Sequence, residues 1–410
     1  MTSQKLRLLT AMTMLVAMSA TGAFAATHYK VLYNFNYPNG GGFAPEASLV
    51  FDSGGNLYGT AVAGGLGCTH PGCGVAFRLA PNADGTWTES VLHGFNGSDG
   101  SAPVSPLVFD SRGDLYGSAA GGGSSGNGTT FELMPRTNGG YTAVVLQSFT
   151  GLDGGQPYGG VTLDNAGRIY GTTSSGGSYS GGVAFTIGGG TRSGTGLLHS
   201  FGGSADGRES YSPLTADAGG NLYGTTCEGG DFGSGTVFKL VHDPISGNWR
   251  ESVLHSFTGA DGASPHAGVV FDAGGNLYGT TYGGGAYGVG TVFKLSPNSD
   301  GSWRETVLHS FTGGNDGGSV YGGVVFDHAG NLYGATNSGG PGRHGTVFKL
   351  TPTPSGQWVE TVLHGFTGQL DGGWPVGGVI LDSAGNVYGT TVMGGTGGIE
   401  EGGVVFEITP

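Results

Sequence analysis

One motif, Asp-x-x-Gly-(Asn/Asp/Arg)-(Leu/Ile/Val)-Tyr-Gly, is written seven times along this chain, beginning at Asp52, Asp110, Asp164, Asp217, Asp272, Asp327 and Asp382. Successive copies are separated by 58, 54, 53, 55, 55 and 55 residues. A period of this size, built from short strands and glycine turns, belongs to radial or stacked arrays in which no repeat can bury its apolar face alone.

Every copy carries the same four extended pieces. In the fifth they are Val269 to Asp272, Asn276 to Thr281, Thr291 to Leu295 and Trp303 to Phe311. All are short, rich in β-branched and aromatic residues, and bounded by Gly, Asn, Asp or Pro, which is how strands read. No stretch of helix length with a 3.6-residue apolar period follows the first residues of the chain. The expected fold is all-β: a seven-bladed β-propeller with four antiparallel strands per blade. Its repeats start near residues 48, 106, 160, 213, 268, 323 and 378.

The two ends of the chain distinguish a ring from a linear array. The sequence opens on an orphan fourth strand at residues 29–35 and stops after a third, Val404 to Thr409. The N-terminal strand is therefore expected to complete the last blade and close the ring, leaving no open edge across residues 26–410. Glycine supplies 91 of 410 residues, yet it follows no Gly-X-Y period and 37% of the chain is hydrophobic, which excludes collagen and disorder.

Residues 1–25 read as a signal peptide. Lys5 and Arg7 precede an apolar run from Leu8 to Val16, and Ala23-Phe24-Ala25 is a small-residue cleavage site. A secreted protein, periplasmic or extracellular, is expected, with no membrane span after cleavage. No cysteine follows the apolar run before Cys68, so a lipid anchor is not expected. Cleavage removes 2 of 15 basic residues and no acidic ones, leaving 13 against 29 and a formal charge of −16. That balance excludes nucleic acid and anionic membrane surfaces as partners. A monomer is expected.

The pattern Gly-Gly-Val-x-Phe-Asp-x-x-Gly-Asn-Leu-Tyr-Gly-Thr-Thr, followed by Gly-Thr-Val-Phe-Lys-Leu, resembles the choice-of-anchor tandem repeat GloVer-containing protein family, a bacterial repeat of Gloeo_Verruco type. The resemblance runs over essentially the whole chain after residue 25. It implies a β-propeller and export, and it implies no activity. Family members often end in a sorting anchor, whereas this sequence ends on a strand. The strand order also resembles the NHL type of propeller repeat, which implies that Val-x-Phe-Asp is the innermost strand of each blade.

Several conspicuous residues are absorbed by the repeat. His93, His199, His255, His309 and His364 occupy one column of the outer strand, one per blade, so a structural role is expected and no metal site. Trp87, Trp249, Trp303 and Trp358 form a packing column. The repeated Asp-Gly at Asp99, Asp153, Asp206, Asp261, Asp316 and Asp371 is either a tight turn, the favoured reading, or a source of calcium ligands. No other cofactor is expected. In an exported chain Cys68 and Cys73 are expected to form a local disulfide, with Cys227 left over and buried. A metal triad of Cys68, His70 and Cys73 lacks a fourth ligand.

What varies between copies is the position six residues before each motif Asp, at the start of the inner strand: Glu46, Val104, Tyr158, Tyr211, His266, Tyr321 and Val376. Trp374 lies just upstream of the last of these. The loops between second and third strands add Glu228, Tyr282, Arg343, Glu400 and Glu401 at the same face. Aromatic residues with a few charges around a channel mouth are the default ligand site; the alternative is that the tyrosines plug the channel. Two functions follow. One is a binding module for a glycan, another cell-surface polymer or a protein. The other is a propeller hydrolase or lyase acting on extracellular polysaccharide, which would need paired carboxylates at the mouth.

Overall fold

The computed structural model describes residues 27–36, 41–65, 67–69, 71–137, 139–188, 195–202, 205–397 and 402–410. The expected signal peptide, His70, Glu400 and Glu401 lie outside the described residues.

Seven four-stranded antiparallel sheets form the blades of a propeller. Blade 5 is typical: an inner strand Val270–Phe271, then Leu277–Thr281, Thr291–Pro297 and an outer strand Trp303–Ser310. Blades 1 to 4 and 6 repeat this order. Blade 7 takes its first three strands from Ile380–Leu381, Val387–Thr391 and Val404–Thr409, and its outer strand from His28–Asn34. The register runs from His28 against Thr409 to Asn34 against Val404. The two ends of the chain are thus sewn into one sheet, and the ring is closed.

The signature motif explains itself residue by residue. Asp272 turns the chain between the first two strands: Oδ1 accepts the backbone N–H groups of Gly274 (2.8 Å) and Asn276 (2.9 Å), and Oδ2 accepts Asn276 Nδ2 (2.7 Å) and the Tyr278 hydroxyl (3.0 Å). Gly275 sits in that turn at φ 77°, where a side chain would be strained. Leu277 is buried. Gly279 pairs with Phe293 on the third strand, and a Cβ there would stand 2.6 Å from the Phe293 ring, so the glycine makes room for the aromatic.

The core lies between the blades. The Phe that follows each outer strand meets the third-strand Phe of the next blade: Phe35–Phe77, Phe95–Phe131, Phe149–Phe185, Phe201–Phe238, Phe257–Phe293, Phe311–Phe348 and Phe366–Phe406, with ring centroids 4.9 to 5.3 Å apart. All fourteen rings are buried. Each contributes roughly 1.5–3 kcal/mol by burial, and each edge-on pair adds about 0.5–1.5 kcal/mol. Seven like interfaces make the ring uniform and leave its axis as the place where the blades differ.

Candidate functional site at the channel mouth

The residues that set the mouth are fixed by bonds between blades. A hydroxyl from the second strand of one blade donates to a carbonyl beside the mouth position of the next. Thr60 reaches Ser105, Ser118 reaches Pro157, Thr172 reaches Ser212, Thr225 reaches Ala267, Thr280 reaches Gly322 and Thr390 reaches Ala47. Each such bond inside the protein is worth roughly 0.5–1.5 kcal/mol net. Blade 6 has Ala335 at this position.

A second device lies two residues before each mouth position. Ala44, Ala102, Gln156, Glu209, Ser264, Ser319 and Trp374 all have φ between 51° and 60°, a conformation that costs a non-glycine residue roughly 1–3 kcal/mol. Each is held by two hydrogen bonds. Ser264 donates its N–H to Ser234 of the preceding blade's loop (2.9 Å), and its carbonyl accepts from Tyr282 (3.1 Å). None of these seven residues is glycine in a glycine-rich chain, so nothing in the sequence marks the column.

The seven mouth residues converge. Glu46, Val104, Tyr158, Tyr211, His266, Tyr321 and Val376 all line one cavity of about 560 Å³ on the propeller axis. Residues at the entry of the inner strands, such as Val269, Val324, Val379 and Ile380, also line it. The inner strands approach so closely that a Cβ on Gly377 would stand 2.7 Å from the Ala47 backbone. The channel is therefore narrow and lined by apolar and aromatic residues.

Four consecutive blades supply an unbroken aromatic arc. Ring centroids are 5.2 Å apart for Tyr158–Tyr211, 5.2 Å for Tyr211–His266 and 5.0 Å for His266–Tyr321. Tyr282, from the second-to-third strand connection of blade 5, extends the arc at 4.7 Å from Tyr321. The four mouth rings are half-buried, and the cavity lies beside them. Val104, Val376 and Glu46 complete the other side.

The arc is charge-poor at neutral pH. His266 Nδ1–H donates to the Ser264 carbonyl at 2.9 Å, which leaves Nε2 as an acceptor. Burial pushes the His266 imidazole below its ordinary value, so it stays neutral. Tyr211 and Tyr321 are each pushed up to about 12, by burial first, then by Glu209 and Tyr282 respectively. Burial also raises the Glu46 carboxyl. Among the described lining residues Glu46 is the single carboxylate.

Three residues expected at the site are placed elsewhere. Glu228 sits in a two-stranded ribbon with Gly207–Arg208, and its carboxylate accepts from Arg208 Nη2 at 2.6 Å. Arg343 is exposed on a blade 6 loop at φ 65°. Trp374 is 43% exposed and lies beside His344 at 6.4 Å, in the strained column. None of the three lines the cavity, although Trp374 stands only two residues before Val376.

Other expected residues also find their places. Cys68 and Cys73 are joined by a disulfide across the enlarged loop of blade 1. Cys227, expected to be buried as a small apolar residue, is half-buried with Sγ 3.8 Å from His266 Nε2. The Asp of each Asp-Gly turn accepts backbone N–H groups of its own turn, as Asp153 does from Thr150 (2.7 Å) and Asp261 from Thr258 (2.8 Å). The outer-strand histidines meet those same carboxylates, His93 with Asp99 at 3.0 Å and His255 with Asp261 at 3.1 Å.

Comparison with known proteins concerns the whole ring. The Gloeobacter/Verrucomicrobia repeat matches residues 20–164, 136–317 and 300–410. No curated protein matches the sequence. Among solved structures, a putative 6-phosphogluconolactonase from Bacteroides uniformis is similar at 13% identity and TM-score 0.47, over 77% of this chain and 84% of that one. A protein of unknown function from Dyadobacter fermentans is similar at 12% identity and TM-score 0.47, over 93% and 99%. No residue role is carried over from either. Among the described residues no helix is long and apolar enough to cross a membrane.

Proposed function

The chain belongs to the Gloeobacter/Verrucomicrobia repeat family, and from that premise we propose that it is an exported binding propeller whose channel mouth takes a glycan segment or another flat, amphipathic polymer end. The observation that carries the reading is the partly buried aromatic arc of Tyr158, Tyr211, His266 and Tyr321 lining a cavity of about 560 Å³. That volume falls within the roughly 300–1,000 Å³ of small-ligand sites. Flat rings with phenol and imidazole edges offer apolar stacking faces and hydrogen-bond partners at little entropic cost. Glu46 and the neutral His266 set orientation across the mouth. Aromatic faces outnumber carboxylates at the mouth, where Glu46 lines the cavity and Glu209 meets Tyr211, and this favours binding over glycoside hydrolysis, which needs a matched pair of acids. Export is supported by the N-terminal signal pattern and by the Cys68–Cys73 disulfide, a bond that persists in oxidising compartments. A glycan and polysaccharide array probed with residues 26–410 tests the reading. Retention of a carbohydrate class that Tyr211→Ala removes is expected; no retention on any glycan refutes it.

A further inference from the structure

At the rim of the propeller, far along each blade from the channel, the outer-strand His meets the Asp-Gly turn of its own blade and a Glu from the outer strand of the next. The column that supplies this Glu holds Glu89, Glu251, Glu305 and Glu360. Three joints therefore carry the same residue types: His199, Asp206 and Glu251 between blades 3 and 4; His255, Asp261 and Glu305 between blades 4 and 5; His309, Asp316 and Glu360 between blades 5 and 6. Among the described residues only the first gathers all three ligating atoms within 4.8 Å of one another.

The difference has a cause in the sequence. At the other two joints a threonine hydroxyl, Thr258 or Thr312, donates to the turn carboxylate and holds it in its own loop. The corresponding residue before Asp206 is Gly202. Among the described residues of its loop, Asp206 accepts backbone N–H groups, Gly202 to Oδ2 (3.2 Å) and Gly207 to Oδ1 (2.7 Å), and it meets His199 Nε2 at 2.8 Å. From the next blade Glu251 brings a buried oxygen that has no hydrogen-bond partner, as Glu305 and Glu360 do at the sister joints. Asp206 and Glu251 both open onto a cavity of about 780 Å³, which also holds Asp231 and Phe232.

We propose that the joint between blades 3 and 4 is a divalent transition-metal site, with His199 Nε2, Asp206 and Glu251 as ligands and water from the adjoining cavity filling the remaining positions. One imidazole nitrogen and two carboxylates, with no thiolate, suit zinc, cobalt or manganese and not a soft monovalent metal; three protein ligands are too few for calcium, which takes six to eight oxygens. On binding, the one imidazole proton, now between His199 Nε2 and Asp206, moves through solvent to Nδ1, so that the Nε2 lone pair coordinates the metal with no net loss of a proton and no electron transferred. Since the ligands come from two blades, the metal clips them together at the rim. The site is separate from the channel mouth and does not depend on how that mouth is used.

The test is titration of the chelator-stripped protein, residues 26–410, with zinc by calorimetry and with cobalt by visible absorption. The expected result is one equivalent bound, and a loss of at least tenfold in affinity in His199→Gln and in Glu251→Gln. The chain already uses the first exchange structurally: Gln147 holds the histidine position in blade 2 and donates to Asp153 at 2.7 Å, so His199→Gln keeps the turn satisfied. Glu305→Gln, at the sister joint, leaves binding unchanged. Absence of binding to the wild-type protein, binding unaltered by both variants, or three equivalents with one lost in Glu305→Gln would each overturn the assignment.

Discussion

Asp272 and its six counterparts are the residues that recur most strictly, and the reason is local. Burial opposes ionisation of this carboxyl, but the Asn276 side chain and backbone, the Tyr278 hydroxyl and the Gly274 N–H hold it below the ordinary carboxylate range. The unfolded chain binds its proton more tightly, so this contribution to stability is present above the unfolded value and lost as pH falls through the folded one. Asp272→Ala leaves two backbone donors and the Asn276 amide without their acceptor. A loss of about 1–3 kcal/mol in unfolding free energy is expected, read by urea denaturation. An unchanged midpoint would show that the turn forms without the carboxylate. The residues beside the mouth behave differently, since Tyr158, Tyr211 and Tyr321 make no bond that the fold repeats from blade to blade.

At the scale of the element, the His28–Asn34 strand carries the closure of the ring. Leu32 and Phe35 are buried, and Phe35 forms the aromatic joint to blade 1 through Phe77. Removing residues 27–36 takes out apolar burial worth roughly 1.5–3 kcal/mol for each large side chain, against about 5–15 kcal/mol for a typical whole domain. A markedly lower melting temperature is expected on calorimetry, and a truncated protein that melts like the intact one would contradict closure.

The outer strands carry a pH dependence of their own. Burial, then the Asp261 carboxylate, pushes Glu305 up to about 7, and burial, then Asp316, does the same for Glu360. A raised folded value means that stability from these groups is full below about pH 4.5 and is lost as pH rises through 7. Glu305→Gln with Glu360→Gln removes the titration. The double variant is expected to gain on the wild type between pH 5 and 8, by roughly 1 kcal/mol per joint after screening by solvent. A difference that stays constant with pH would show that the two carboxyls titrate normally.

For the whole molecule, the ring and the mouth were legible for different reasons. Seven motif copies and the complementary strands at residues 29–35 and 404–409 determine a closed propeller, because only one arrangement pairs every edge. The mouth column was legible because one position varies from Glu46 to Val376 while its neighbours stay small. The joints of His, Asp and Glu were not read: Glu305 and His309 stand four apart on one strand, but a bulge between Val307 and His309 turns them to opposite faces of blade 5. Their meeting depends on how one blade is offset against the next, which a period along the chain does not state. Trp374 misses the cavity because it stands two residues before Val376 on a tightly turned backbone, whereas Arg343 and Glu228 lie on the loops between second and third strands, whose reach toward the axis the period does not state.

The central claim, that the aromatic arc is a ligand wall and not internal packing, is tested most directly by calorimetric titration of Tyr158→Ala/Tyr211→Ala/Tyr321→Ala with the best array glycan, beside its melting curve. Loss of binding with a melting temperature within a few degrees of the wild type is the expected result, since the three rings are only partly buried and line the cavity. Binding retained at full affinity, or a variant that no longer folds, would contradict it.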